Sequence, residues 1–495
     1  HEDNEGGKPD AVFELVQVFP GCLHRYAPVI SSEVSASGLR VFLVRGIFFP
    51  FTSPERTDTM PHLNPGRNPM RILVVGAGWA GCAAALAAAK QGAEVTLVER
   101  TDMLLGTGLV GGIMRNNGRF TAAEEMLALG GGDLFDLTDA NTLHRNIEFP
   151  GHSHASLYNV ATMEPLVRSF LESRGIAIRL ATRINDVEMR NGAIVAIHGK
   201  EGEGTVSFAA GAYVDATGTA GPPGQCAKHG NGCVLCVLRC PAFGGRVSVT
   251  ALCGIREIMG RKDGQVGAMS GSCKLLKESL SHDLVAELNH RGVVVIPLPL
   301  SLQKEARTSI KACQQYAIPA FQENLVLLDT GHAKLMVPFF PLAALRKVGG
   351  LENARYEDPY AGGLGNSIRY VGMSPRDDTL KVRGVENLFC AGEKAGLLVG
   401  HTEAIVTGTL AGYNAVRHAR REKPLILPCS LASGDAVTFV REQMATKEGL
   451  GLKCTFSGSV YFERMRERGL YDTNPEAVRR RVEDAGLLNL FRGGN

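Results

Sequence analysis

Hydrophobic positions are densest between residues 71 and 98. Ile72–Val75 is an uninterrupted apolar run, as a strand covered on both faces requires. An alanine-rich stretch follows to Lys90, Gly92 supplies a left-handed stop, and Glu94–Val98 reads as a second strand. Farther on, Met163–Ser173 predicts a helix and Ile176–Leu180 a strand. "DVEMRNGAIVAIHG" alternates around Asn191-Gly192, a dipeptide that favours the two-residue hairpin turn. "TVSFAAGAYVDATG" adds a third strand and a buried return, completing a β-meander. Val385–Ala419 reads as strand, glycine-rich turn and amphipathic helix. Between them, helix-like stretches ("SCKLLKESLSHDLVAELNHRG", "IKACQQYAIPAFQENL") alternate with strands ("VVVIPLPL", "KLMVPFFPL"). Asn474 before Pro475 marks a late helix start.

This pattern divides the chain into five parts: a leader over 1–69, a nucleotide-binding first half over 70–221, an inserted segment over 222–383, a second half over 384–423 and a small helical region over 424–495. The leader lacks sustained periodicity. Its apolar run Val41–Phe51 is too short to span a bilayer and carries Arg45. The expectation is an extension with little structure, with translation beginning at Met60 or Met70. The fold class expected is α/β: a Rossmann-like, two-domain, glutathione-reductase-like fold with a β-meander and an inserted α+β domain.

Composition alters this picture little. The chain has 495 residues, 44% hydrophobic and 21% charged, with net charge +3. That balance gives no general attraction to nucleic acid or anionic lipid. The 12 cysteines follow no secretory pattern, which points to a reducing, cytoplasmic setting and no membrane association.

The chemistry starts at Gly76-Ala77-Gly78-Trp79-Ala80-Gly81, between the first strand and the first helix. Gly76 permits the tight turn, Gly78 lets a diphosphate approach the backbone, and Gly81 lets helix and sheet pack closely. The helix start offers free N–H groups to phosphate. Glu99 closes the second strand, where a carboxylate can bind ribose hydroxyls, with Arg100 beside it. The arrangement predicts a bound dinucleotide.

Two later stretches, "AYVDATGTAG" with Thr217-Gly218 and "VENLFCAGEKAGLLVGHTEAIVTGTLAGYNAVRHA", resemble the recurrent motifs of two-domain FAD oxidoreductases. The resemblance implies FAD, held also by Gly392, Glu393 and the Gly400-His401-Thr402-Glu403 turn, with Gly111 and Gly112 covering the diphosphate and ring edge. It makes His401 and Glu393 the candidate proton-handling groups. "AGCAAALAAAKQGAEVTLVER" and "ASLYNVATMEPLVRSFLESRGI" are similar to the glucose-inhibited division protein A family, which includes FAD- and folate-dependent tRNA uridine methyltransferases. Ala391-Gly392-Glu393 also resembles fumarate reductase flavoproteins. Arg100–Leu137 contains no cysteine, whereas the folate-dependent enzymes place a nucleophile there.

The other candidate chemistry is "CAKHGNGCVLCVLRCP", with the spacing Cys226-x6-Cys233-x2-Cys236-x3-Cys240-Pro241. It resembles a ferredoxin [4Fe-4S] run with its first interval stretched. Structural zinc, a redox dithiol at Cys233 and Cys236, and unligated buried thiols stay open beside it. The leading expectation is an FAD-dependent oxidoreductase that passes electrons between flavin and this cluster or dithiol. Its redox partner would be a small molecule or a protein, and the chain could be a homo-oligomer. The alternatives are an FAD-dependent tRNA-modifying enzyme, with tRNA as partner, and a flavin-bearing electron-transfer subunit of a complex.

Overall fold

The structure is a computed structural model. It describes residues 28–36, 39–46, 70–218, 247–262, 265–266, 268–269, 272–303, 318–337, 340–357, 368–369 and 372–493. The chain divides into two compact units, His1–Asn68 and Pro69–Asn495. In the first, β1 (Pro28–Ala36) pairs antiparallel with β2 (Leu39–Gly46). A leader expected to be poorly structured thus contains a hairpin. The reason is its local density of Val, Ile, Leu and Phe, residues that favour strands even without clean alternation.

The second unit opens with β3 (Arg71–Val75), α1 (Trp79–Lys90) and β4 (Glu94–Val98), close to the bounds the apolar pattern predicts. Next come a 3-10 turn over Gly106–Val110, β5 (Ile113–Met114), α2 (Gly118–Ala128), α3 (Asp133–Ala140), β6 (Thr142–Phe149) and β7 (His152–Tyr158). The strands β5, β7 and β6 form a small antiparallel sheet that the hydrophobic pattern did not reveal. Helix α4 (Val160–Ser173) starts where the Asn159 side chain accepts from the Ala161 N–H at 2.9 Å. Strand β8 (Ala177–Arg179) and the meander β9 (Thr182–Arg190), β10 (Ala193–Glu201) and β11 (Gly204–Phe208) follow. The meander turn has Asn191 at φ 51° and Gly192 at φ 78°, the paired left-handed geometry that Asn-Gly favours. Strand β12 (Ala212–Asp215) then returns to the main sheet.

The inserted part builds its own antiparallel sheet from β13 (Cys273–Leu275), β14 (Val293–Pro297), β15 (Asn324–Asp329) and β16 (Ala333–Leu335), in the order β13-β16-β15-β14. Helix α5 (His282–Arg291) packs beside it. The sheet has a separate apolar core that includes Leu275, Leu288, Leu325, Leu327 and Leu335. Strand β17 (Leu388–Cys390) and α6 (His401–Ala419) restore the nucleotide-binding half. The chain closes with α7 (Ala432–Met444), α8 (Ser459–Glu467) and α9 (Pro475–Asp484). The cap of α9 is Asn474, as its place before Pro475 predicts, and its side chain accepts from Glu476 N–H at 3.0 Å.

The central sheet runs β17-β12-β3-β4-β8, all parallel. Parallel register puts every strand's carboxyl end at one edge, so the loops after β3, β12 and β17 meet there. Helices α1 and α6 pack together almost backbone to backbone. A side chain at Gly408 would begin 2.2 Å from Ala80 O, and one at Gly412 would begin 2.1 Å from Ala84 O. Replacing Gly412 with leucine is expected to lower stability by about 3 kcal/mol through forced separation of the helices. Thermal unfolding of G412L against the parent chain tests this.

Candidate functional site

The three glycines of the first loop differ in what surrounds them. Gly76 has φ +97°, and a Cβ there would lie 2.4 Å from Ala216 O. At Gly81 a Cβ would fall 1.7 Å from Gly76 O. Both are glycine because protein backbone occupies the space. At Gly78 the nearest neighbour of such a Cβ is Leu105 O at 3.9 Å, so among the described residues that side is open. Gly78 also caps α1 without any side-chain hydrogen bond, which leaves the first-turn N–H groups facing this opening. An open glycine beside uncapped amides fits a diphosphate.

Glu99 is buried, and its carboxylate is aimed by three donors. Ala77 N–H reaches Oε2 at 2.9 Å, and the Thr101 N–H and hydroxyl reach Oε1 at 2.9 and 3.1 Å. The acid expected to meet ribose is thus tied to the glycine loop itself. Arg100 follows it at the strand end and is partly buried. Leu105 N–H donates to Ala77 O at 2.7 Å, which brings the Gly106–Val110 turn beside the loop. A Cβ on Gly108 would lie 2.5 Å from the Trp79 indole nitrogen, and one on Gly111 would lie 1.7 Å from the His401 ring. Gly112 meets Thr330 of the inserted part in the same way. Ala80 is buried on the α1 face opposite Gly392 and Gly408.

His401, the first residue of α6, stands in an aromatic group. Its Nδ1 lies 3.3 Å from Tyr158 OH, and its ring centre lies 6.2 Å from that of Trp79. Tyr158 donates to Gly108 O at 3.2 Å, and burial pushes its hydroxyl pKa up to about 12. Thr402 is fully buried near Met114. Glu403 is also fully buried, and its carboxylate is spent within the protein. Arg119 Nε lies 3.0 Å from it, and Thr455 Oγ1 and Phe456 N–H each donate at 2.7 Å. The C-terminal region therefore braces the start of α6. Gly392, at φ +66°, donates its N–H to Thr407 Oγ1 at 2.9 Å, and Glu393 beside it is partly exposed. Gly400 caps α6 without a side-chain hydrogen bond.

Below the loop edge lies a buried charge group. Asp215 accepts from Thr217 N–H and Oγ1 at 3.2 and 2.7 Å on one oxygen, and from Thr250 N–H and Oγ1 at 2.9 and 2.8 Å on the other. Lys394 Nζ lies 3.9 Å from this carboxylate, donates to Ser248 Oγ at 2.8 Å and pairs with Glu257. Gly218, at φ +74°, has nothing within 4 Å of where a Cβ would stand. One carboxylate thus fixes the chain just before and just after residues 219–246.

Cys226, Cys233, Cys236 and Cys240 lie outside the described residues. Among the described residues, no group of three or more His, Cys, Asp or Glu side chains could hold a metal ion. Burial pushes the thiol pKa of Cys253, Cys273, Cys390 and Cys454 up to about 12, and that of Cys82 higher still. None of these five is a ready thiolate. No described helix is long and apolar enough to cross a membrane.

Reading the sequence missed Asp215, Lys394, Arg119 and Tyr158. Asp215 and Tyr158 stand inside motif stretches, yet nothing local marks them. Their roles come from partners 35 to 243 residues away.

The architecture is that of the two-domain FAD-binding fold. Residues 71–221 match the family model "FAD dependent oxidoreductase", and residues 338–423 match "Glucose inhibited division protein A". The chain is similar to the solved GidA of Aquifex aeolicus, with a TM-score of 0.56 at 16% identity, covering 86% of this chain and 74% of that one. A second crystal form of that protein gives 0.53 at 15% identity, covering 85% and 76%. Among curated proteins, it is 34% identical over 102 residues to the tRNA uridine 5-carboxymethylaminomethyl modification enzyme MnmG of a Nitratiruptor species, covering 20% of this chain and 15% of that one. It is 40% identical over 75 residues to the methylenetetrahydrofolate–tRNA-(uracil-5-)-methyltransferase TrmFO of Moorella thermoacetica, covering 15% and 17%. These alignments span less than a fifth of each relative's length. Two stretches of the chain thus match FAD-dependent oxidoreductase and glucose-inhibited division protein A models, and the fold is similar to that of GidA, in line with the motif resemblance.

The buried charges can be tested directly. R119M leaves the Glu403 carboxylate buried without its cation and is expected to cost about 3–5 kcal/mol, with much of the loss recovered in R119M/E403Q. Denaturant unfolding of the parent, both singles and the double measures this. For Asp215, burial favours the neutral acid, but Lys394 and the Thr217 and Thr250 donors outweigh it and hold the pKa below its ordinary 3.8. Its contribution is therefore present above pH 3.8 and lost as pH falls through the lower folded value. D215N should be less stable than the parent at neutral pH in thermal unfolding, and the gap should close in acid.

Proposed function

We propose that the chain is an FAD-dependent enzyme that modifies carbon 5 of a uridine in tRNA. The open side of Gly78 carries the cofactor part of this reading: among the described residues, no neighbour explains why this glycine of the loop lacks a side chain. The tRNA part rests on the two relatives, whose names both place chemistry at that position. Gly76, Gly78, Gly81 and the start of α1 would hold the diphosphate, Glu99 the ribose, and the Gly106–Gly112 stretch, Gly392 and the start of α6 the flavin portion. The flavin supplies hydride chemistry when bound. His401, with Tyr158 OH 3.3 Å from its Nδ1, would hold or pass a proton at Nε2. Glu403 acts by fixing the start of α6.

The five described thiols raised by burial do not offer a nucleophile of the folate-dependent type. A second reading keeps the Cys226–Cys240 run as a redox partner of the flavin. In its favour, Asp215 holds both flanks of residues 219–246 at the same sheet edge as the cofactor loops.

Purified protein should be yellow and release FAD on denaturation. G78V should reduce flavin content roughly ten-fold or more, because a side chain there fills the space for the diphosphate. Mass spectrometry of tRNA nucleosides from a deletion strain should show loss of a C5-modified uridine, restored by the parent gene and not by G78V. Unchanged nucleosides, together with iron and sulfide in anaerobic preparations, would replace this reading with the second.

A further inference from the structure

Two lysines face each other in the inserted sheet. Lys274 of β13 pairs with Lys334 of β16 in antiparallel register, a placement that like charges disfavour. Both reach the same target in the nucleotide-binding half. Lys274 Nζ donates to Leu109 O at 3.1 Å, and Lys334 Nζ donates to Val110 O at 2.5 Å. These carbonyls end the Gly106–Val110 turn, which lies against Trp79. Lys334 is 5% exposed, and among the described residues no carboxylate stands within ion-pair distance of it. A buried ammonium without a counter-ion costs the fold stability. Its presence is better explained by what it holds.

We propose that Lys334, with Lys274 beside it, is a positioning residue that seats the Gly106–Val110 turn against Trp79 through its protonated side chain, and so shapes the cofactor cleft. The link to the cleft rests on the flavin reading above. The seat itself rests on the two lysine contacts.

Burial, and then the charge of Lys274, bring the Lys334 pKa down to about 7. Below that pH the bond to Val110 is charge-assisted, and above it the amine is neutral and the grip weakens. Global stability runs the other way. A lysine with a lowered folded pKa makes the fold more stable as pH rises from about 7 toward the ordinary 10.5. The turn should therefore loosen while the fold as a whole tightens.

The neighbouring groups are Cys273 and Lys274 on β13, Asp329 on β15, His332 before β16, Tyr356 and Glu357, with Tyr158 and His401 on the far side of the turn. Burial raises the pKa of Cys273 and Tyr158 to about 12 and that of Tyr356 further. Glu357 is held below its usual range by His332 and Lys274, against its burial. Asp329 is paired with His144 and Lys277. His332 pairs with Glu357, and His401 lies beside Trp79.

Trp79 is the chain's one tryptophan, so its emission reports on the turn with or without cofactor. In the flavin-free full chain, emission should shift with a midpoint near pH 7. K334M should abolish the shift and hold the high-pH emission, without lowering the thermal midpoint at acid pH. K334R should hold the low-pH emission throughout, while H332N and H401N keep a transition. With flavin, K334M should weaken binding roughly ten-fold below the midpoint and leave it unchanged well above. A parent transition that survives in K334M, or that vanishes in H332N or H401N alone, overturns the proposal. So does a K334M chain that is less stable with parent-like emission. A parent chain that takes up no flavin yet shows the stated Trp79 behaviour supports the lysine seat and overturns the flavin reading instead.

Discussion

Close backbone approach is the constraint on which the rest of this molecule depends. The main sheet can present its loops to a cofactor only if α1 sits deep against it and α6 sits deep against α1. Gly81 allows the first contact, and Gly408 and Gly412 allow the second. These positions set how near the two helix starts come to the edge where β3, β12 and β17 end. Neither helix start has a side-chain cap, and each brings the positive end of its dipole to that edge. A single added side chain would separate elements that the site needs together.

Charge is buried around this scaffold in two chemically different ways. Glu403 and Asp215 are fully enclosed, yet each has a cation nearby and several donors on its oxygens, which is how the cost of removing a carboxylate from water is offset. Both tie distant parts of the chain to the sheet edge: Glu403 joins α2 and the C-terminal region to α6, and Asp215 joins both sides of residues 219–246 to β12. Among the described residues Lys334 has no such carboxylate beside it, and its side chain donates to the Val110 carbonyl. The first two groups fit a supporting role, whereas the third carries an energetic cost that the fold alone does not require.

What could be read from the sequence follows from how local each feature is. The first strand–loop–helix–strand unit, the Asn191-Gly192 hairpin and the Asn474 cap were all visible, because each depends on a few consecutive residues. The small β5-β7-β6 sheet was not, because β5 has only two residues and the β6–β7 pairing is bulged and unevenly apolar. The glycine motif was legible but its positions were not separable: only the packed structure shows that Gly76 and Gly81 face backbone while Gly78 meets no close neighbour among the described residues. Glu403 looked like a cofactor contact from its place in the motif, and its carboxylate instead braces the motif from behind. Buried ion pairs across hundreds of residues leave no local pattern to find.

The double grip of Asp215 has a consequence for how this fold can change over time. Because Thr217 and Thr250 bind opposite oxygens of one carboxylate, the distance between the two ends of the intervening stretch is set by the sheet and not by the stretch. Closing a longer excursion between fixed ends costs little extra entropy, only about 0.6 kcal/mol for each doubling. A change in the length of residues 219–246 is therefore expected to leave the nucleotide-binding framework in place, held by the same carboxylate.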